Sequence, residues 1–387
     1  MGDIRQLVKG NIRQYGMIIA LGFIVIFFQI MTKGVLLQPM NITNLIMQTG
    51  YIHIMAIGMM LVIITGFVDL SIGSVVAATG ALAAVLIIDN RIPVVGAIPI
   101  ILILGFFIGS SHGFFISALN IPPFITTLAG MLIYRGVCQV ILTGQTKGPF
   151  PSAFQTMSIG FISHKVMGRD MVSLIMGAVV ILALIFLEIK DRRSKQKYNL
   201  EVLPVYLSIA KIVLISALIG FLAYMLSSYN GVPVVLCIVV GLAVVYSFVM
   251  KNTIIGRHIY TVGGNPNAAK LSGISVAKIK FVVFANMGIL AALAGMIVAG
   301  RLNAATPRAG DGFELDAIAA CYIGGASTSG GIGTIVGGIV GAMVMGVLNN
   351  GMSIMGLPID WQRIIKGLVL LAAVCFDVYA KKKNASA

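Results

Sequence analysis

Twelve apolar segments, most of them long enough to cross a bilayer, constrain what this chain can fold into. They lie near residues 15–31, 44–65, 70–88, 93–119, 123–143, 171–188, 205–227, 232–250, 277–300, 315–326, 332–349 and 363–380. A transmembrane helix needs about 17–25 apolar residues, so the 315–326 segment is too short to span alone and reads as a broken or re-entrant helix. Inside lipid every backbone polar group must find an internal partner, which points to an all-α integral membrane protein, a polytopic bundle of about 10–12 transmembrane helices. Composition agrees, with 10% charged residues where soluble domains carry about 25%. Residues 1–387 are expected to form a single transmembrane domain.

Basic residues set the expected orientation. Arg5, Lys9 and Arg13 precede the first segment, and Lys190, Arg192, Arg193, Lys195 and Lys197 cluster in one loop. Lys251, Arg257, Lys270, Lys278 and Lys280 surround another loop, and Lys381, Lys382 and Lys383 follow the last segment. With twelve crossings all four groups fall on one side, which the positive-inside rule makes cytoplasmic together with both termini. The formal charge of +15 is therefore a topology signal, and no basic surface with aromatic neighbours points to nucleic acid. Residues 29–33 offer no small-x-small cleavage site, so the first apolar stretch is expected to remain as a span. Cys138, Cys237, Cys321 and Cys375 are scattered in apolar sequence and read as small buried hydrophobes. His53, His112, His164 and His258 lack metal-ligand spacing, and no cofactor or metal is expected.

One polar island carries the most specific local signal. Within the cytoplasmic loop 251–276, Asn265 is suited to cap a helix, Pro266 to its first position, and Gly273 to a left-handed ending. About two turns fit between these signals, too few to cross a membrane. A short capped helix on the basic side reads as a docking knob for a cytoplasmic partner. The outside loops are expected at 144–170 and 301–314, and the inside loop 189–204 reads as a solvated linker.

Two polar interruptions stand within apolar sequence. At Gly66-Phe-Val-Asp-Leu-Ser-Ile-Gly-Ser74, an Asp at membrane depth costs roughly 2.5–3.5 kcal/mol on insertion scales and needs a partner or a wet cavity. Two readings fit: Asp69 or Ser71 caps the next helix in a tight cytoplasmic turn, or the segment is a helix break lining a translocation path. At Asp311-Gly-Phe-Glu-Leu-Asp316, three carboxylates precede a helix, with Arg301 and Arg308 nearby, and the expectation is capping and ion pairing. The Gly-rich run 324–333 lacks the GxxxxGK[ST] pattern of a phosphate cradle. Gly333, Gly337 and Gly341 repeat every four residues and read as a helix-packing face, at a subunit interface or within the chain. Pro122 and Pro123 mark a helix boundary, with Thr126 and Thr127 placed to bond backbone carbonyls or line the path. Trp361 suits an interfacial anchor before the last span.

Four ordered motifs carry a resemblance. Residues 66–74, Pro123-Phe-Ile-Thr-Thr-Leu128 with Arg135-Gly136, the capped helix 264–274, and Glu314-Leu-Asp-Ala-Ile-Ala-Ala320 together resemble the ribose/xylose-type permeases of bacterial ABC sugar importers. The likeness is nearest to xylose and multiple-monosaccharide permeases, which share extra apolar sequence around 190–250. It implies a type II importer fold in the cytoplasmic (inner) membrane, two permease copies, a cytoplasmic ABC ATPase, and a periplasmic or lipid-anchored sugar-binding protein. By that analogy Asn265, Pro266, Ala268, Leu271 and Gly273 form the ATPase-coupling contact. Asp69, Ser71, Thr126 and Thr127 are translocation-path candidates, and Arg301, Arg308 and Glu314 are candidates for docking the binding protein. The chain itself would hydrolyse nothing.

Other readings differ in what drives transport or in cargo. An ion-coupled secondary transporter would need intramembrane carboxylates, for which Asp69 and Asp316 qualify. An integral-membrane enzyme would need a nucleophile–base pair or a metal set, and the sequence offers neither. The same family with nucleoside or signalling-sugar cargo is the nearest alternative.

Overall fold

A computed structural model describes residues 12–166, 168–198 and 204–385. Arg5 and Lys9, and residues 199–203 of the 189–204 loop, lie outside the described residues, as do the side chains of Arg13, Lys381, Lys382 and Lys383. Each of the twelve apolar segments contains a helix. In chain order the helices are α1 (Ile12–Met31), α2 (Pro39–Ile64), α3 (Ile72–Ala84, continued by a wider turn over Val85–Asp89), α4 (Val94–Ser117) and α5 (Pro123–Leu142). A short α6 (Ser152–Ile159) precedes α7 (Met171–Lys197), α8 (Val205–Ser227) and α9 (Val234–Asn252). Then come α10 (Ile254–Gly264), α11 (Pro266–Leu271), α12 (Val276–Leu302), α13 (Phe313–Ile323), α14 (Ile335–Ile354) and α15 (Ile359–Ala385). Nine helices among the described residues are long and apolar enough to cross a membrane. The protein is a multi-pass, all-α membrane protein.

The helices sort by burial. α2, α3, α12 and α14 form the interior, while α4, α5, α7, α8 and α9 turn most of their apolar surface outward. α2 is the central element and packs against α9, α12, α13 and α14. Glycines bring these helices to backbone contact: a Cβ on Gly288 would strike the Gly105 carbonyl, and one on Gly341 would strike that of Ala320. The small-residue face at Gly337 and Gly341 thus packs within the chain, against α13 at Gly324 and Ala320. α7 and α8 pack chiefly on each other, linked by Lys211–Glu188 at 2.8 Å, as a peripheral hairpin, while α9 packs on α2.

Two chain segments enter the bundle from opposite ends. After α2 the backbone leaves helical form at Gly66 (φ +86°), and α3 starts only at Ile72. After α12 the chain runs through 303–312 before α13 begins, and there Phe313 stacks on Tyr51 with centroids 4.2 Å apart. Tyr51 lies halfway along α2, so α13 starts deep in the bundle. Irregular backbone at that depth survives only when shielded by protein, and Asp69, Ser71 and Gly310 are all buried.

Candidate functional site

The short capped helix forms as its sequence demands. Asn265 Oδ1 accepts from the N–H groups of Asn267 and Ala268, each at 3.0 Å, and Pro266 occupies the first helical position. Gly273 closes α11 at φ +80°, with its N–H on the Lys270 carbonyl and that of Ile274 on the Ala269 carbonyl. Ala269 is buried against the bundle, whereas Leu271 is 90% exposed. α11 is shorter than two turns, being six residues long. Its neighbour α10 is tied to the core at the same end. Tyr260 donates to the Gly333 carbonyl at 2.8 Å, and the N–H of Gly331 donates to the Ile64 carbonyl at 2.8 Å. Gly263 lies directly on that Ile64 carbonyl, with no room for a Cβ. α11 therefore leans, through α10, on the point where α2 breaks.

The break itself is held by Asp69, which is 3% exposed. Its Oδ1 accepts from the Ser71 N–H at 2.8 Å and from Ser71 Oγ at 2.6 Å. Ser71 is the residue ahead of α3 but makes no side-chain cap bond. The carboxylate thus ties a turn before the helix and does not cap the helix directly. Ser71 Oγ also faces His112 Nδ1 of α4 at 3.5 Å. Thr126 and Thr127 on α5 bond the carbonyls of Pro122 and Phe124, at 3.3 and 3.4 Å, as their sequence position leads one to expect.

At the other end the segments 144–170 and 301–314 meet. Lys147 and Ala305 exchange backbone hydrogen bonds of 3.0 and 2.8 Å, and the Phe150 N–H donates to Asn303 Oδ1 at 2.8 Å. Lys147 also pairs with Asp89. Arg135 of α5 clamps the second loop, donating to the carbonyls of Ala309 at 2.6 Å and Pro307 at 3.2 Å. Within the first loop, Asp170 caps α7 and accepts from Ser173 Oγ (2.6 Å), the Ser173 N–H (2.7 Å) and the His164 N–H (2.5 Å). Burial alone would raise its pKa, yet these bonds and one from the Val172 N–H outweigh it and hold the carboxyl below its ordinary range.

The acidic cluster corrects one expectation. Among the described residues neither Arg301 nor Arg308 forms an ion pair with it; its cations come from α15, as Arg363–Asp311 and Lys366–Asp316, both at 2.9 Å. Asp316 is 3% exposed and also receives Asn349 Nδ2 at 3.5 Å. Glu314 packs over Gly73 at the start of α3, so of the three docking candidates only Arg308 is exposed, Arg301 being half-buried. Three residues were missed: His112, Arg363 and Lys366. A charged or imidazole side chain inside an apolar block is itself a signal, and His112 carried it.

Known proteins match the chain along nearly its whole length. The family described as branched-chain amino acid transport system / permease component matches residues 41–196 and 214–374. The xylose transport system permease protein XylH of Haemophilus influenzae is 38% identical over 378 residues, covering 98% of this chain and 99% of its own. XylH of Escherichia coli is 36% identical over 383 residues, covering 99% and 96%. The ribose import permease protein RbsC of Haemophilus influenzae is 35% identical over 344 residues, covering 89% and 87%. No solved structure matches. The chain belongs to the branched-chain amino acid transport system / permease component family, among relatives that include xylose and ribose permeases.

Proposed function

We propose that the chain, as one permease domain, is the transmembrane subunit of an ATP-driven importer that carries a monosaccharide across the bacterial cytoplasmic membrane. Xylose, or several monosaccharides, is the cargo that the relatives' names favour. The observation that carries the reading is α11: a capped helix with Leu271 standing 90% exposed at the end of the bundle where α2 breaks. In this reading Asn265, Pro266, Ala268, Leu271 and Gly273 dock a separate ATPase, which supplies all hydrolysis. Both termini and the 251–276 loop face the cytoplasm. Motion of α11 reaches the Asp69–Ser71 turn through Gly263 on the Ile64 carbonyl, a contact that transmits displacement rigidly. Asp69, Ser71, Thr126 and Thr127 belong to the path of the sugar. The joined outer loops 144–170 and 301–314, with Arg301, Arg308 and Glu314, receive a binding protein, and a second copy completes the pathway.

Cross-linking tests the docking. A Leu271→Cys variant should cross-link to a cysteine placed in the ATPase groove, with a yield that changes on adding ATP. A correctly inserted variant that gives no cross-link from any groove position contradicts the proposal.

A further inference from the structure

One face of α7 changes character along its length. Ile175, Val179, Leu182 and Phe186 follow one another at helical spacing, each 58–65% exposed, and form an outward apolar stripe. The next positions on the same face are Lys190, Arg193 and Lys197, all exposed. Lys190 stands about 28 Å along the helix from Met171, which matches the ~30 Å hydrocarbon core of a bilayer. The cations therefore begin where acyl chains give way to headgroups.

The other charges at this end of the hairpin are already engaged. Lys195 pairs with Asp191 at 2.7 Å, Lys211 of α8 pairs with Glu188 at 2.8 Å, and Arg192 donates to Ser208 Oγ of α8 at 3.1 Å. Lys190, Arg193 and Lys197 form no ion pair and no side-chain hydrogen bond among the described residues. Three cations on one face thus stay open, while both nearby carboxylates are neutralised. Tyr198 and Tyr206, 68% and 62% exposed, stand at the same end of the hairpin, and Lys197 lies 6.0 Å over the Tyr198 ring. Exposed tyrosines beside cations mark headgroup depth. A basic surface that continues a lipid-facing stripe fits one ligand chemistry, a phosphate carried on acyl chains. A choline or ethanolamine group would add a like charge beside the three cations, whereas a glycerol group adds none.

We propose that Lys190, Arg193 and Lys197 bind the phosphate of a net-anionic phospholipid, whose acyl chains lie along Ile175, Val179, Leu182 and Phe186. The site goes beyond the importer reading and needs only that the chain lies in a membrane. Because α7 and α8 pack chiefly on each other, with α2 as their main support in the bundle, the headgroup contacts set the depth of the hairpin. Each lysine or arginine near an anionic surface adds up to about fivefold to binding.

The test uses the full chain in detergent micelles doped with phosphatidylglycerol or phosphatidylcholine, with bound lipid measured by native mass spectrometry. The wild type should hold phosphatidylglycerol about tenfold more tightly than phosphatidylcholine, and glycerol 3-phosphate, a headgroup without chains, should not displace it. Replacing all three cations, as Lys190→Gln, Arg193→Gln and Lys197→Gln, should abolish that preference and leave phosphatidylcholine binding unchanged. The charge-conserving set Lys190→Arg, Arg193→Lys and Lys197→Arg should retain it. Arg193→Gln alone, at an exposed position, should weaken phosphatidylglycerol binding several-fold and keeps the site testable if the triple variant does not fold. Unchanged preference in the neutral variants, its loss in the charge-conserving set, or displacement by glycerol 3-phosphate overturns the site. No transport is measured, so that failure leaves the importer reading intact, and a chain that imports no sugar still decides the site.

Discussion

Gly73 and Gly310 meet backbone to backbone, each occupying the space where the other would carry a Cβ. One opens the helix that follows the α2 break, and the other lies near the end of the segment leading to α13. The two irregular segments, entering from opposite ends, therefore abut inside the bundle, with Glu314 beside the contact. Overpacking such a contact costs about 1–3 kcal/mol. Gly310 adds a left-handed backbone at φ +73°, worth about 1–2 kcal/mol against any side chain. Gly73→Ala is expected to lower the unfolding temperature in detergent, and Gly310→Ala to lower it further. Wild-type melting of both would show that the contact is loose.

Gly273 offers a cleaner probe of coupling. No atom lies within 4 Å of where its Cβ would be, so a side chain there meets open space and only the φ of +80° resists it. Gly273→Val should leave insertion and yield unchanged but deform the end of α11, with uptake falling at least tenfold. Normal uptake with normal ATPase association would remove α11 from the coupling mechanism.

The Lys366–Asp316 pair joins α15 to α13 at a carboxylate that is 3% exposed. Removing one member of a buried pair costs about 3–5 kcal/mol, and the lysine's partial exposure places this case at the low end. Lys366→Met should destabilise strongly, and adding Asp316→Asn should recover much of the loss. A double-mutant cycle by thermal unfolding reads the coupling directly, and additive effects would mean that the pair contributes nothing.

Asp170 gives a pH dependence of known sign. Its folded pKa is depressed, so its contribution to stability is present above the unfolded value of about 3.9 and is lost as pH falls through the folded one. Asp170→Asn should cost about 1–3 kcal/mol at neutral pH, and the gap to the wild type should close below about pH 4. A gap that stays constant from pH 7 to pH 3 would assign the effect to packing.

What was legible in the sequence was local. Asn265, Pro266 and Gly273 act on backbone groups within a few residues, so their roles could be read directly, and apolar segment length placed the helices. Long-range partners could not be read that way. The cations of Asp311 and Asp316 come from Arg363 and Lys366, about fifty residues away, because α15 packs on α13 whereas Arg301 and Arg308 do not reach. Arg135 stands in the sequence only as part of a motif, and its grip on the Pro307 and Ala309 carbonyls depends on how the 303–312 segment folds back. His112 joined the Asp69–Ser71 turn only once α4 was laid beside the α2 break.

Labelled-sugar uptake into proteoliposomes tests the central claim most directly. The chain is reconstituted with and without its ATPase, its binding protein and ATP on the ATPase side. The expected result is uptake of xylose or another monosaccharide only when all three are present. Uptake by the chain alone, following an imposed proton or sodium gradient, would contradict the account and make Asp69 and Asp316 the first residues to replace.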